Sequence, residues 1–207
     1  MAQFLIRRFW TIVYSFSGIF LYSFVGIYII TVIYLLLIKK KDIAYVIFMT
    51  IFFVYLYYVI DYTQFPIYNI EAQKEAFGGQ NVWRDMNLNP FPFHPFSKAN
   101  FFNIIMTIPL GFAIPFLIRA NIKKVFIIGL ATTITIELCQ LLVALYIGYT
   151  FRYVDINDVI FNTLGTLIGY LVFFKAFKYV YKYFIKKLQI KSRENIILSH
   201  ISRSVNQ

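Results

Sequence analysis

Charge is scarce in this 207-residue chain: Asp, Glu, Lys and Arg make up 14% of it, against about 25% in a soluble domain. One cysteine and two histidines exclude a disulfide framework and a structural zinc site built from four cysteines or from paired cysteines and histidines. With 60% apolar residues, 24 Phe, 17 Tyr and a mean hydropathy of +0.68, too little polar surface is left to cover a globule in water. An ordinary soluble domain and a disordered chain are both excluded. The net charge of +11 then reads as membrane topology rather than as a nucleic-acid footprint, and no nucleic-acid partner is expected.

What the chain has instead is uninterrupted apolar length. Residues 9–38, 43–60 and 99–118 carry no charge at all, residues 125–151 carry only Glu137, and residues 159–174 carry none. A helix needs about 20 apolar residues to cross a bilayer, which predicts an all-α integral membrane protein of about five transmembrane helices in one bundle. The first run is too long for one crossing, so an interfacial N-terminal segment is expected up to about Gly18, with the span following to Ile38. Arg7 and Arg8 ahead of it imitate a signal peptide, but the apolar run far exceeds an h-region and reads as an uncleaved helix. The last span is short, and its pattern continues with Lys175, Lys178, Lys182 and Lys186 at helical spacing, where lysines reach headgroups. Residues 1–190 thus read as one transmembrane domain. Residues 191–207 lack apolar periodicity and read as a polar, basic cytoplasmic tail.

Of the 20 Lys and Arg, 14 fall on the side holding Lys39–Lys41, Arg119, Lys123, Lys124 and the C-terminal lysines, and six fall on the other. The positive-inside rule puts the richer side in the cytoplasm and the N-terminus outside, although Arg7 and Arg8 oppose it locally. The segment from Asp61 to Lys98 is then an extracellular loop. Its Pro/Phe-rich end contains Pro90, Pro92 and Pro95, which forbid a regular helix. His94 in that loop is a lone histidine and no ligand.

Polar residues of the last three spans gather toward the outer half of the bundle. Asn103 and Thr107 lie near the outer end of the third span, Glu137 and Gln140 on the fourth, and Asp155, Asp158 and Asn162 at the start of the fifth. Arg152 sits on the connecting loop. Counting back from Ile147 at 1.5 Å per residue puts Glu137 about 15 Å below its helix end, near mid-bilayer. Asp155, Asp158, Asn162, Gly165 and Gly169 recur at steps of three or four and form one stripe. Its deep half is a GxxxG pattern that admits another backbone, within the chain rather than in a dimer. Pro109 and Gly111 are expected at helix packing or a bend in the third span. Cys139 reads as a small buried residue, and the aromatics as lipid-facing fill and interface belt.

These residues resemble a known family. Asn103-Ile-Ile-Met-Thr-Ile-Pro109-Leu-Gly111-Phe, Glu137-Leu-Cys-Gln140 and the run Arg152-Tyr-Val-Asp155-Ile-Asn-Asp158 through Asn162, Gly165 and Gly169 to Tyr170 are similar to the VanZ-like membrane proteins. Asn87-Leu-Asn-Pro90-Phe91 resembles the short motif before that family's third span, so the motif core covers residues 87–170. The resemblance implies a bacterial plasma-membrane protein associated with lowered sensitivity to teicoplanin-type antibiotics, without supplying a molecular activity.

Three classes of function compete. In the first, Asn103, Glu137, Gln140, Arg152, Asp155, Asp158 and Asn162 line an outward pocket for an amphiphile of the outer leaflet, which the resemblance makes a lipoglycopeptide antibiotic or a lipid-linked cell-wall precursor. Arg152 would contact a phosphate or carboxylate there, or else only neutralise Asp155. In the second, Glu137 and Asp158 are the acid–base pair of an intramembrane enzyme, but the last three spans offer no activated nucleophile. A divalent metal at Glu137, Asp155 and Asp158 is not separable from an Arg–carboxylate network by sequence; no cofactor and no metal are expected. In the third, Glu137 is the ion site of a transporter, against which stands the absence of an inverted repeat. Glu137 also has a purely structural reading as a hydrogen-bonded link between helices.

Overall fold

The computed structural model describes residues 11–70, 81–90, 97–150, 152–188 and 195–206. Strand β1 (Thr11–Tyr14) precedes helix α1 (Ile19–Ile33), which runs on through a π-helical turn to Ile38. Helix α2 (Ile43–Gln64) leads to strand β2 (Ile67–Ile70), and helices α3 (Lys98–Leu117) and α4 (Ile122–Ile147) follow. The last span is continuous from Ile156 to Lys187: α5 (Ile156–Ile168), a π-helical turn (Gly169–Phe174) and α6 (Lys175–Lys187). Helix α7 (Ile196–Val205) ends the described chain. Five helices are long and apolar enough to cross a membrane, so the all-α bundle expected from the uncharged runs is the architecture found. Arg7, Arg8, the loop residues 71–80 and His94 lie outside the described residues.

Short polar side chains start each of the later spans. Asp42 accepts from the Tyr45 N–H at 2.9 Å, Ser97 from Asn100 at 3.1 Å, Asn121 from Lys124 at 3.0 Å and Asp155 from Asn157 at 2.8 Å. Each satisfies an N–H that the helix itself leaves without a partner. Helix α4 stops at Gly148, whose φ of 81° is the left-handed conformation that glycine adopts without a Cβ penalty. Before Gly18, part of the expected interfacial segment is a strand: β1 pairs antiparallel with β2, Thr11 opposite Ile70 and Tyr14 opposite Ile67. Pairing satisfies backbone groups that a lone interfacial segment would leave to water.

The centre of the bundle is the seam where α5 and its π turn lie against α3, with α4 on the other side of α5. A Cβ on Gly165 would strike the Ile104 carbonyl and the Thr107 hydroxyl, one on Gly169 the Ile108 carbonyl, and one on Gly111 the Thr166 carbonyl. The GxxxG stripe therefore meets α3 of the same chain, backbone to backbone. Pro109 is exposed and takes no part in that seam, and α3 runs through Pro109 and Pro115 as one helix. On α4, Val125, Gly129, Thr133, Glu137, Gln140, Ala144 and Ile147 form the buried face at helical spacing. Helix α1 has no buried residue and is peripheral. Cys139, expected to be buried, is exposed, because it falls one position off the buried Gln140 row. The aromatics are not only lipid-facing: Phe48 stacks on Phe116 at 5.0 Å and Phe16 on Phe65 at 5.1 Å, both inside the bundle.

The tail departs from the polar, unpatterned segment expected of it. Residues Ile196–Val205 form α7, which packs against α2 and α3 with His200, Ser204 and Val205 buried. The His200 Nε2 lies 2.8 Å from the Phe116 carbonyl and the ring stacks on Phe48 at 4.9 Å. Arg203 donates to Asp42, and the Tyr181 hydroxyl donates to the Leu198 carbonyl at 3.0 Å. Polar groups join the buried Val205 and the ring stack in making this docking. Burial disfavours the charged Asp42 carboxyl, but the Tyr45 N–H and the Arg203 guanidinium outweigh it and hold the group below its ordinary value.

Candidate functional site

The three later spans do not end at one level. Helix α2 has 22 residues, about 33 Å, which matches an apolar core of about 30 Å. Its last residue, Gln64, donates to the Ile136 carbonyl of α4 at 3.3 Å, and Gln140 of α4 donates back to the Thr63 carbonyl at 3.1 Å. Helix α4 has 26 residues, about 39 Å, so its final two turns stand beyond the end of α2. Glu137 therefore lies where α2 ends, at the mouth of the bundle. Counting along α4 alone gives no level relative to α2; the contacts of Gln64 and Gln140 set it.

From Gly148 the chain turns back toward Glu137. Tyr149 is 2% and Thr150 8% exposed, so this irregular backbone is covered by protein, as it must be near lipid. The Thr150 hydroxyl donates to Asp85 at 2.9 Å and the Arg152 guanidinium to the Phe65 carbonyl at 2.9 Å. Burial pulls the Arg152 pKa below its usual value. The return ends at the cap of α5, where the Asp155 N–H donates to Glu137 Oε2 at 3.1 Å. Glu137 is 5% exposed and receives this bond at a helix N-terminus, which favours an anion. A hydrogen bond to a charged group is worth about 1.5–3 kcal/mol, comparable to the roughly 2.5–3.5 kcal/mol cost of an acidic side chain at full membrane depth.

Around this bond the expected residues occupy distinct places. Asp155 and Asp158 lie close enough for their charges to act on Glu137. Asp158 accepts from the Asn103 amide at 2.7 Å, tying α3 to α5. Asp155 Oδ1 is committed to the Asn157 backbone and side chain, each at 2.8 Å, and to the Asn87 amide at 3.1 Å. Asn162 lies below, donating to the Thr133 hydroxyl at 3.2 Å, and Gln140 lies one turn above Glu137. Among the described residues the buried oxygens Gln140 Oε1, Asn162 Oδ1 and Thr163 Oγ1 find no hydrogen-bond partner. Among the described residues no three His, Cys, Asp or Glu side chains are grouped to hold a metal ion.

Thr63, Gln64, Asp85 and Asn87 also shape the mouth and were not singled out as site residues. Asn87 forms a parallel bridge with Asp155: its N–H donates to the Val154 carbonyl at 2.9 Å and its carbonyl accepts from Ile156 at 3.0 Å. The segment around Asn87 thus clamps the return loop over Glu137. The only available signal for Asn87 was its place in the Asn-Leu-Asn-Pro motif. Thr63 and Gln64 act largely through main-chain partners, which side-chain type does not reveal.

A family model described as VanZ/LLP1 matches residues 24–179, a stretch that takes in helices α2 to α5 and the segments between them that close the mouth. No curated protein and no solved structure matches the chain.

Proposed function

The chain belongs to the VanZ/LLP1 family of membrane proteins, and from that membership we propose that it lowers sensitivity to teicoplanin-type lipoglycopeptide antibiotics. In this reading it works in the bacterial plasma membrane, binding or altering an amphiphile or lipid-linked envelope component at the outer leaflet. The observation that carries the reading is the chemistry of the mouth. Buried oxygens of Gln140 and Asn162 that have no partner among the described residues gather with the carboxylates of Glu137 and Asp158 near the end of α2. An acceptor-rich cluster suits a headgroup that brings hydroxyl, amine or amide donors while its acyl chain stays in lipid. Expression of the chain is expected to raise the inhibitory concentration of a lipidated glycopeptide several-fold more than that of an unlipidated one. The purified protein should retain a lipid-linked precursor or the drug in native mass spectra. Equal effects on both antibiotics, with no retained amphiphile, would overturn the proposal; turnover of the precursor would make the protein an enzyme.

The proposal needs the mouth on the outside, which the 14-to-6 split of Lys and Arg supports. In a Cys139→Ser background, an impermeant thiol reagent is expected to label Gln80→Cys but not Lys40→Cys in intact cells. The reverse pattern places the mouth in the cytoplasm.

A further inference from the structure

We propose that the end of the bundle opposite the mouth holds a phosphate-binding site. A cavity of about 1300 Å³ opens there, between the starts of α2 and α4, the end of α3 and helix α7. Among the described residues five cations line it, Lys40, Lys41, Arg119, Lys124 and Arg203, against a single carboxylate, Asp42. That carboxylate is already occupied: it accepts from Arg203 and from the Tyr45 N–H, and it faces the His200 Nδ1 at 3.8 Å. Among the described residues no carboxylate forms an ion pair with Lys40, Lys41, Arg119 or Lys124. Two helices, α2 and α4, begin at this cavity and two, α3 and α7, end there, so the side-chain cations and not the helix dipoles set the sign of its field.

Positive-inside topology accounts for cations at this end but not for their convergence. Lys182 and Lys186 satisfy the rule while standing on α6, outside this cavity. Around the cavity, four cations without acid partners surround one recess whose floor includes the buried Phe116 and His200. A planar guanidinium and clustered ammonium groups match the oxygens of a phosphate. A second recess of about 300 Å³ adjoins the cavity, sharing Pro115, Ala120 and Ser204 and lined further by Tyr170, Phe174, Lys175 and Lys178, so two more cations stand beside it. The shared chemistry is a phosphate ester, carried by a lipid headgroup or by a soluble compound.

The test uses the full chain in maltoside micelles, which carry no phosphate, with phosphatidylglycerol and inorganic phosphate as probes. The melting temperature should rise with at least one probe, and native mass spectra should show the adduct. A response to phosphatidylglycerol alone identifies a lipid site, and a response to inorganic phosphate a soluble ligand. Lys41→Gln with Arg119→Gln should weaken binding roughly tenfold, as expected for loss of two charge-assisted contacts. Lys182→Gln with Lys186→Gln should leave it unchanged. No response of the wild-type chain to either probe, or equal loss in the two double variants, overturns the site.

Discussion

Gly169→Leu is expected to abolish accumulation of folded protein. The Cβ alone would overlap the Ile108 carbonyl, and the neighbouring Gly165 meets the Ile104 carbonyl in the same way. These are backbone atoms inside a helix, so relief requires α3 and α5 to move apart rather than a side chain to turn. Overpacking a tight core costs about 1–3 kcal/mol even where side chains yield, and this contact is less forgiving. Separation would also pull Asn103 from Asp158 and open the seam under the mouth. Gly26 on α1 provides the control, since nothing lies within 4 Å of a Cβ there. Yield and monodispersity on size exclusion should collapse for Gly169→Leu and stay normal for Gly26→Leu. Normal yield of both would mean that α3 and α5 do not meet through this stripe.

The spans were legible because burial in lipid is written in composition: an uncharged run has few other places to go. The glycine seam was legible too, since Asp158, Asn162, Gly165 and Gly169 share a helix face by period alone. Helix α7 was not, because its buried residues include His200 and Ser204, which a hydropathy pattern counts as polar although a hydrogen bond and ring stacking hold them. The level of Glu137 relative to α2 was not legible either. Its position along α4 follows from the sequence, but its position relative to α2 depends on which turns of the two helices meet. Gln64 on Ile136 and Gln140 on Thr63 decide that register, and each bond ends on a main-chain carbonyl that any residue type carries.

The covering of Glu137 bears on its role. A carboxylate within the membrane must be neutralised or paired, and such a group also serves as a link between helices. Here the returning loop and Asn87 cover it. Glu137→Gln keeps the size of the side chain and an oxygen to accept the Asp155 N–H, so melting temperature and yield should stay near wild type. It removes the ionisable carboxyl that faces the helix terminus. Antibiotic protection, and retention of the amphiphile, should fall to the level of cells and protein lacking the site. Glu137→Leu provides the contrast: it leaves the Asp155 N–H buried without a partner, at a cost of about 1–3 kcal/mol, and should lower stability as well. If Glu137→Gln retains full protection while Glu137→Leu unfolds the chain, the carboxylate only fastens the return loop to α4, and the headgroup is held by Gln140, Asp158 and Asn162 without it.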